Sequence, residues 1–303
     1  MKKTIILLIL LVILVYVVYN KDELYKVYNE YSINYKSKRI KLEKNKYYRN
    51  YDFNYVQNTD NFKPTNRQDI LNIIYTSINA GVSSFTFYCP TEYESCLDEI
   101  DSIASDQGIL SDINNYVHPY NTFKHVETKY DSSREITISM TKNYQKEDRE
   151  IINAKVDEIF NALYKPNDTK INNIRRMHDY IINNSKYDSD RSDNNIVKYR
   201  SDIAYGPLIE KYALCGGYSD AMQLFLEKMN IKSFKVSSEE HVWNAVELDG
   251  KWYNLDLTWD DPITNTGQEI LSHTYFLINT PKLKEVATSQ HNFNEDVYSE
   301  LKA

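Results

Sequence analysis

The chain has 303 residues, enough for one or two domains with a sizeable buried core. Hydrophobic residues make up 42% and charged residues 26%, which is ordinary for a globular protein. The formal net charge of −7 argues against nucleic acid as a partner.

An unbroken apolar run occupies residues 5–19, directly after Lys2 and Lys3. It is slightly shorter than the roughly 20 residues that span a bilayer, and no small-x-small cleavage site follows it. We therefore predict an uncleaved signal-anchor over residues 1–20, with a cleaved signal peptide as the alternative. Large downstream domains are exported largely regardless of flanking charge, so we expect a single-pass cell-membrane protein whose remaining chain is extracytoplasmic.

A polar, basic stretch follows over residues 21–62, rich in Tyr, Lys and Asn and without Gly or Pro. Between Lys36 and Arg49 it carries seven basic residues and one acid, Glu43. We predict a solvated stalk. The alternative is a segment attracted to anionic lipid headgroups or anionic wall polymers.

A small α/β domain is predicted over residues 63–143, where apolar positions recur at helical spacing and runs of β-formers follow. The predicted elements are helices at 67–81 and 93–108, the second ended by Gly108, and strands at 83–88, 123–130 and 134–141.

A second domain is predicted over 144–303. It begins with helices at 147–164 and 168–185, and Asp168 is the predicted N-cap of the latter.

Cys215 stands at the start of a predicted helix, "CGGYSDAM", on the same face as Tyr218, Met222 and Phe225. The free N–H groups and the macrodipole at a helix N-terminus favour a thiolate. The two glycines let other backbone or a substrate approach closely. The alternative for an isolated cysteine is a small buried side chain.

A β-hairpin is predicted over residues 241–258, because Asp249-Gly250 is a strong type I′ turn signal between alternating strands. A two-residue loop places Leu248 opposite Lys251 and makes His241 a diagonal neighbour of Asp256. One face of the hairpin is apolar. The opposite face carries His241, Trp243, Asn254, Asp256 and Thr258.

These residue types fit nucleophilic catalysis by a thiol. His241 supplies the base and the counter-charge that a thiolate needs, and Asp256 can orient the imidazole. The N–H of Cys215 is a natural donor to an oxyanion. No metal site is predicted, because one Cys and one His without a C-x-x-C partner leave zinc short of ligands. No cofactor is implied.

The segment "YGPLIEKYALCGGYSDAM" with "HVWNAVELDGKWYNLDLTWDDP" resembles the core of the transglutaminase-like superfamily of bacterial membrane or secreted proteins. That family's pattern is a Cys-x-Gly-Tyr helix start, a His-x-Trp-Asn strand and an Asp-x-Thr-Trp-Asp-Asp strand. The motifs cover about residues 200–280. The resemblance implies Cys215 as nucleophile, His241 as base and Asp256 as orienting acid.

The resemblance also implies an α+β fold: a papain-like core with helices packed on an antiparallel sheet. Tyr205 matches the family's Tyr-Gly before the nucleophile and is carried over as an oxyanion or pocket residue. Trp243 is expected to line the active site. For Tyr205 and Trp243 the alternative is that the side chain only packs in the core and takes no part in the reaction.

The expected function is attack of a thiol on an amide or peptide carbonyl through an acyl-enzyme. Hydrolysis is favoured over cross-linking, because the sequence indicates neither a dedicated amine site nor a calcium requirement. The expected substrate is a protein or peptide at the cell surface or wall. The alternative is an inactive binding or scaffolding module on the same fold.

Cys89 and Cys96 have C-x₆-C spacing, and outside the membrane they can form a disulfide. That pairing leaves Cys215 as the free thiol that a nucleophile requires. Two buried thiols are the alternative. The remaining histidines are scattered and receive no predicted role: His118, His125, His178, His273 and His291.

Overall fold

The computed structural model describes residues 2–262, 270–286 and 289–302. It is a mixed fold of helices and antiparallel sheets. The helices are α1 (Lys2–Tyr19), α2 (Lys21–Ser37), α3 (Arg67–Asn79), α4 (Cys96–Ser105), α5 (Gln107–Asn115), α6 (Lys146–Leu163), α7 (Lys170–Asn183), α8 (Ser189–Asn194), α9 (Cys215–Lys228) and α10 (Thr280–Val286). The strands are β1 (Ser84–Tyr88), β2 (Phe123–Tyr130), β3 (Glu135–Lys142), β4 (Lys186–Tyr187), β5 (Tyr212–Ala213), β6 (Ser233–Ser237), β7 (Val242–Leu248) and β8 (Lys251–Leu255).

The strands form three sheets. Two are antiparallel and three-stranded, with the orders β1-β3-β2 and β6-β7-β8, and the short β4-β5 pair is parallel. Helix α9 packs against β7 and β6, and it shares a second hydrophobic core with α6 and α7. This arrangement places the start of α9 close to the ends of β7 and β8.

The N-terminal helices α1 and α2 meet at Asn20. Among the described residues, no single helix combines the length and apolar character of a membrane span. The two helices meet that test only as a pair, and the pair is bent by 79°. Attachment to a membrane through residues 5–19 stays a prediction.

The predicted stalk differs from the structure in its second half. Phe53 and Val56 are buried in the N-terminal core, and Arg49 is buried as well. The Arg49 guanidinium donates from Nε to Glu227 Oε1 at 2.8 Å, which gives its charge a partner. Since apolar side chains anchor this segment and its buried cation is paired, it belongs to the folded body.

Two helix ends differ from the sequence prediction. The predicted helix over 93–108 is two helices, because the Asp106 side chain accepts an N–H from the first turn of α5 and so begins a new helix before Gly108. The prediction that Gly108 ends the helix was wrong. Thr169, and not Asp168, caps α7: its hydroxyl accepts the N–H of Asn172 at 3.1 Å.

A disulfide bond joins Cys89, directly after β1, to Cys96, the first residue of α4. The two Cα atoms are 5.8 Å apart, and both side chains are fully buried. Cys215 is a free, partly exposed cysteine. The bond therefore ties the first strand of the N-terminal sheet to the helix that follows it.

We expect the double substitution Cys89→Ala and Cys96→Ala to lower the free energy of unfolding by about 2 kcal/mol, because the short cross-linked loop gains freedom in the unfolded chain. Urea unfolding of the full chain in detergent measures this. Reduction of the unchanged protein is the control, since it breaks the bond without removing either sulfur. An unfolding curve that neither treatment moves would contradict the prediction.

The hairpin of β7 and β8 has the predicted register. Leu248 pairs with Lys251 and Asn244 with Leu255, on either side of an Asp249-Gly250 turn in which both residues have positive φ. His241 and Asp256 therefore lie just beyond the two strand ends, at the same end of the hairpin. The register prediction is confirmed.

The sheet of β6, β7 and β8 is buried on both faces. Val246, Leu248 and Leu255 join the core formed with α6, α7 and α9. Trp243 and Ala245, on the face predicted to be polar, join the core formed with the N-terminal helices and sheet. One core thus crosses the predicted domain boundary at residue 144, because the N-terminal unit covers the second face of this sheet.

Candidate active site

Cys215 is the first residue of α9. The preceding Leu214 provides no side-chain cap, so the first N–H groups of the helix have no partner from an N-cap side chain. These groups and the positive end of the helix macrodipole face the thiol. The partial exposure of Cys215 leaves it reachable from solvent.

The two glycines after Cys215 are required by close backbone packing. A Cβ at Gly216 would lie 2.6 Å from the carbonyl oxygen of Asp202, and one at Gly217 would lie 2.2 Å from that of Ser201. The N–H of Leu214 also donates to the Ser201 carbonyl at 2.7 Å. The turn over residues 201–203 therefore packs directly against the first turn of α9 and fixes the position of Cys215.

His241 and Asp256 form a buried pair beside this helix start. The Nε2 of His241 donates to Asp256 Oδ2 at 2.6 Å, and the two side chains are only 4% and 2% exposed. Burial alone lowers the pKa of His241. The charge and hydrogen bond of Asp256, with a further hydrogen bond and charge from Cys215, outweigh burial and raise this pKa to about 10.

The orientation of the imidazole follows from the same contacts. Because Nε2 faces Asp256, Nδ1 is the ring nitrogen left to interact with the Cys215 thiol. A protonated His241 is thus flanked by a carboxylate on one side and a thiol on the other. In this arrangement the imidazole can exchange a proton with the thiol.

Asp256 accepts four hydrogen bonds. Its Oδ1 accepts the backbone N–H groups of Thr258 and Trp259 at 2.9 and 3.2 Å. Its Oδ2 accepts Nε2–H from His241 and from His291, at 2.6 and 2.9 Å. Burial acts to raise the pKa of this carboxyl, but the charges and hydrogen bonds of the two histidines hold the pKa well below its usual range. Asp256 is therefore a fixed anion.

His291 is a member of this site that the sequence analysis missed. Its ring stacks on Tyr275 at 5.1 Å and contacts Trp243 and Trp259 at 5.2 and 5.3 Å. Its Nδ1 is buried and has no hydrogen-bond partner among the described residues. Among those residues, the ring of His291 therefore hydrogen-bonds to Asp256 alone, through Nε2. The motif spacing holds no sign of this contact, because 35 positions separate the two residues.

We expect His291→Ala to lower kcat/KM by about tenfold, because Asp256 loses one of two N–H donors on the oxygen that orients His241. His291→Gln retains an N–H donor and should restore part of the loss. The measurement is the titration midpoint of the labelled His241 imidazole by NMR, together with the rates. If the alanine variant loses stability but leaves this midpoint unchanged, the role of His291 is only packing.

Of the two further residues expected at the site, Trp243 lies beside His241. The Trp243 ring is stacked 5.6 Å from that of His241, and its indole N–H donates to Asn254 Oδ1 at 2.9 Å. Tyr205 lies under the Arg200 guanidinium, whose carbon is 3.2 Å from the ring centroid. A role of Tyr205 in the site stays a prediction.

The site also contains groups that could ligate a metal. His241, Asp256 and His291 each offer one ligand atom, and these atoms lie within 4.8 Å of one another. However, all three residues are buried, so this cluster has no exposed side for the water that would complete the coordination of a metal. A metal would also draw the His241 imidazole away from Cys215. The observed contacts fit acid–base chemistry better.

No family model matches the chain, and no curated protein matches it in sequence. Among solved structures, a transglutaminase (TGase) is 14% identical, with a TM-score of 0.32 over 45% of this chain and 45% of that chain. A protein described as a putative cysteine protease from Cytophaga hutchinsonii is 11% identical, with a TM-score of 0.28 over 48% of this chain and 65% of that chain. The chain thus spans less than two thirds of either protein. The geometry of Cys215, His241 and Asp256 therefore carries the inference of a thiol enzyme.

Proposed function

We propose that this chain is a thiol enzyme with a papain-like, transglutaminase-type core that hydrolyses an amide or peptide bond through an acyl-enzyme. The observation that carries the proposal is the buried His241–Asp256 pair, held at one end of the β7–β8 hairpin and interacting with Cys215 at the start of α9. A thiol, a base and an orienting carboxylate at such positions are the components of nucleophilic catalysis.

In the proposed reaction, His241 takes the proton of the Cys215 thiol, and the thiolate attacks the carbonyl carbon of the substrate. A C–S bond forms, and the carbonyl oxygen becomes an oxyanion that the Cys215 N–H stabilises. The C–N bond then breaks as the His241 imidazolium gives its proton to the leaving amine. A water molecule, deprotonated by His241, attacks the thioester and releases the acid and the free thiol.

Hydrolysis is proposed over cross-linking because the sequence indicates neither a dedicated amine site nor a calcium requirement.

We also propose that the enzyme acts outside the membrane, anchored through residues 5–19, on a cell-surface or wall-associated protein or peptide. The Cys89–Cys96 disulfide supports this location, because such bonds persist in oxidising compartments.

The test is alkylation of the full chain, purified in mild detergent, by iodoacetamide at pH 6, with mass spectrometry to identify the labelled cysteine. An ordinary thiol is only about 0.3% ionised at this pH. We expect Cys215 to react at least about tenfold faster than such a thiol. His241→Ala should remove the advantage.

The matched control is His125→Ala, which removes an exposed histidine on β2. It should leave the labelling rate unchanged. If Cys215 reacts as slowly as an ordinary thiol and is indifferent to His241, the thiol-enzyme proposal fails, and the result favours the binding module.

A further inference from the structure

A second cluster of metal-ligating side chains lies outside the Cys215 site. His178 and Asp179 are on α7, and His273 is on the segment that precedes α10. Asp179 Oδ1 lies 2.8 Å from His178 Nδ1 and 2.8 Å from His273 Nε2. Two imidazole nitrogens from distant parts of the chain thus converge on one carboxylate oxygen, and all three atoms lie within 4.8 Å of one another.

The second nitrogen of His178 is held by another carboxylate. Nε2 of His178 lies 3.2 Å from Asp260 Oδ2, and both side chains are fully buried. Asp260 is itself fixed, because its Oδ1 accepts the N–H of Tyr275 at 3.0 Å. In this structure both ring nitrogens of His178 face carboxylates, so a metal at Nδ1 would take the place of the proton shared with Asp179. The Nε2–H bond to Asp260 would remain, and a buried carboxylate on the second nitrogen is the usual support of a metal-ligating histidine.

The surroundings leave one side of the cluster open. The rings of His178 and His273 are stacked 5.4 Å apart, and Phe276 contacts both rings edge-on. The side chains of His273 and Asp179 are 37% and 29% exposed. Arg175 packs on Phe276, with its guanidinium carbon 5.0 Å from the ring centroid. Water can therefore reach the cluster from outside.

We propose that His178 Nδ1, His273 Nε2 and the Asp179 carboxylate bind a divalent transition metal of the zinc type, with water completing the coordination. Imidazole nitrogens select such metals over calcium or magnesium. Ligand atoms about 2.0–2.1 Å from a tetrahedral zinc lie about 3.3 Å apart, so the ligands need to separate by only about half an ångström from their hydrogen-bonded positions.

The bound metal connects α7 to the segment around residue 273. Asp260, which supports His178, lies four residues after Asp256, and its N–H donates to the Asp256 carbonyl at 3.2 Å. The metal would therefore fix the chain that follows the orienting carboxylate of the Cys215 site. Because it binds the folded chain, it also raises the melting temperature, and the rise grows with the logarithm of the free metal concentration above Kd.

The test uses the full chain in mild detergent, carrying Cys215→Ala so that the free thiol cannot act as a ligand. After removal of metal by a chelator, the protein is titrated with Co²⁺, whose visible absorption reports coordination, and then with Zn²⁺ as competitor. We expect one Co²⁺ per chain, displaced by Zn²⁺, and a higher melting temperature with Zn²⁺.

Two variants and one control assign the site. His273→Ala should weaken binding at least tenfold and abolish the rise in melting temperature. Asp260→Asn should weaken binding about tenfold by disordering His178. His125→Ala, which removes an exposed histidine on β2, should change neither. The proposal is overturned if the chain binds no Co²⁺ at 1:1 stoichiometry, if His273→Ala binds as tightly as its parent, or if His291→Ala alone abolishes binding.

Discussion

Asp256→Asn is expected to lower the rate of amide hydrolysis by about 10²- to 10⁴-fold. The reason lies in the four donors around the carboxylate: two backbone N–H groups on Oδ1 and two imidazole N–H groups on Oδ2. An asparagine side chain has only one acceptor oxygen, whereas the carboxylate has two. Its NH₂ group must face either the backbone donors of Thr258 and Trp259 or the histidines, so the orientation of His241 is lost in one case and the turn after β8 in the other.

The same substitution is expected to lower the pKa of His241 from about 10. Without the carboxylate charge, burial dominates, and burial disfavours the imidazolium. The folded-state pKa lies above the ordinary value of about 6.5, so the pair stabilises the native chain fully below that pH. This stability is lost as the pH rises towards about 10.

Two measurements test this expectation. NMR of labelled imidazole should give a His241 titration midpoint near 10 in the unchanged protein and a much lower one in Asp256→Asn. Urea unfolding should show less stability at pH 10 than at pH 6, and Asp256→Asn should reduce this difference. The matched control is Asp260→Asn, another buried carboxylate that holds a histidine and a backbone N–H. An equal drop in the His241 midpoint in both variants would contradict a specific role of Asp256.

The hairpin and its His241–Asp256 pair could be predicted because they depend on local rules. A type I′ turn at Asp249-Gly250 sets the register of β7 and β8, and the register sets which side chains are neighbours. That register alone predicts that His241 and Asp256 are neighbours. The start of α9 at Cys215 could likewise be predicted from helical spacing and the glycines.

The rest depends on contacts between distant parts of the chain. Alternation along β7 shows that Trp243 and Ala245 share a face, but it does not show that the N-terminal unit covers that face. His291 reaches Asp256 from a segment without periodicity, and His178 meets His273 across 95 positions. In the predicted stalk, the abundance of polar residues concealed Phe53 and Val56, which bury themselves in the core.

Cys215→Ala is expected to remove turnover, by about 10⁴-fold or more, while leaving substrate binding in place. The thiolate is the attacking group, and neither His241 nor the helix N-terminus can replace it. Intact-protein mass spectrometry, during reaction with a mixture of peptides, should detect a thioester adduct on the unchanged chain and none on the alanine variant. Cys215→Ser is the matched variant: it keeps the size and a hydroxyl donor, but its far weaker acidity prevents ionisation by an imidazole.

The two functional alternatives make different predictions for these variants. A binding or scaffolding module would hold its peptides equally well with Cys, Ser or Ala at position 215 and would form no adduct.

For an enzyme, the fate of the adduct separates hydrolysis from cross-linking, because the triad forms the same thioester in both. In ¹⁸O-labelled water with a primary amine present, hydrolysis places ¹⁸O in the product acid, whereas transfer yields the amide of the added amine. We expect the labelled acid to dominate, because the sequence indicates no dedicated amine site.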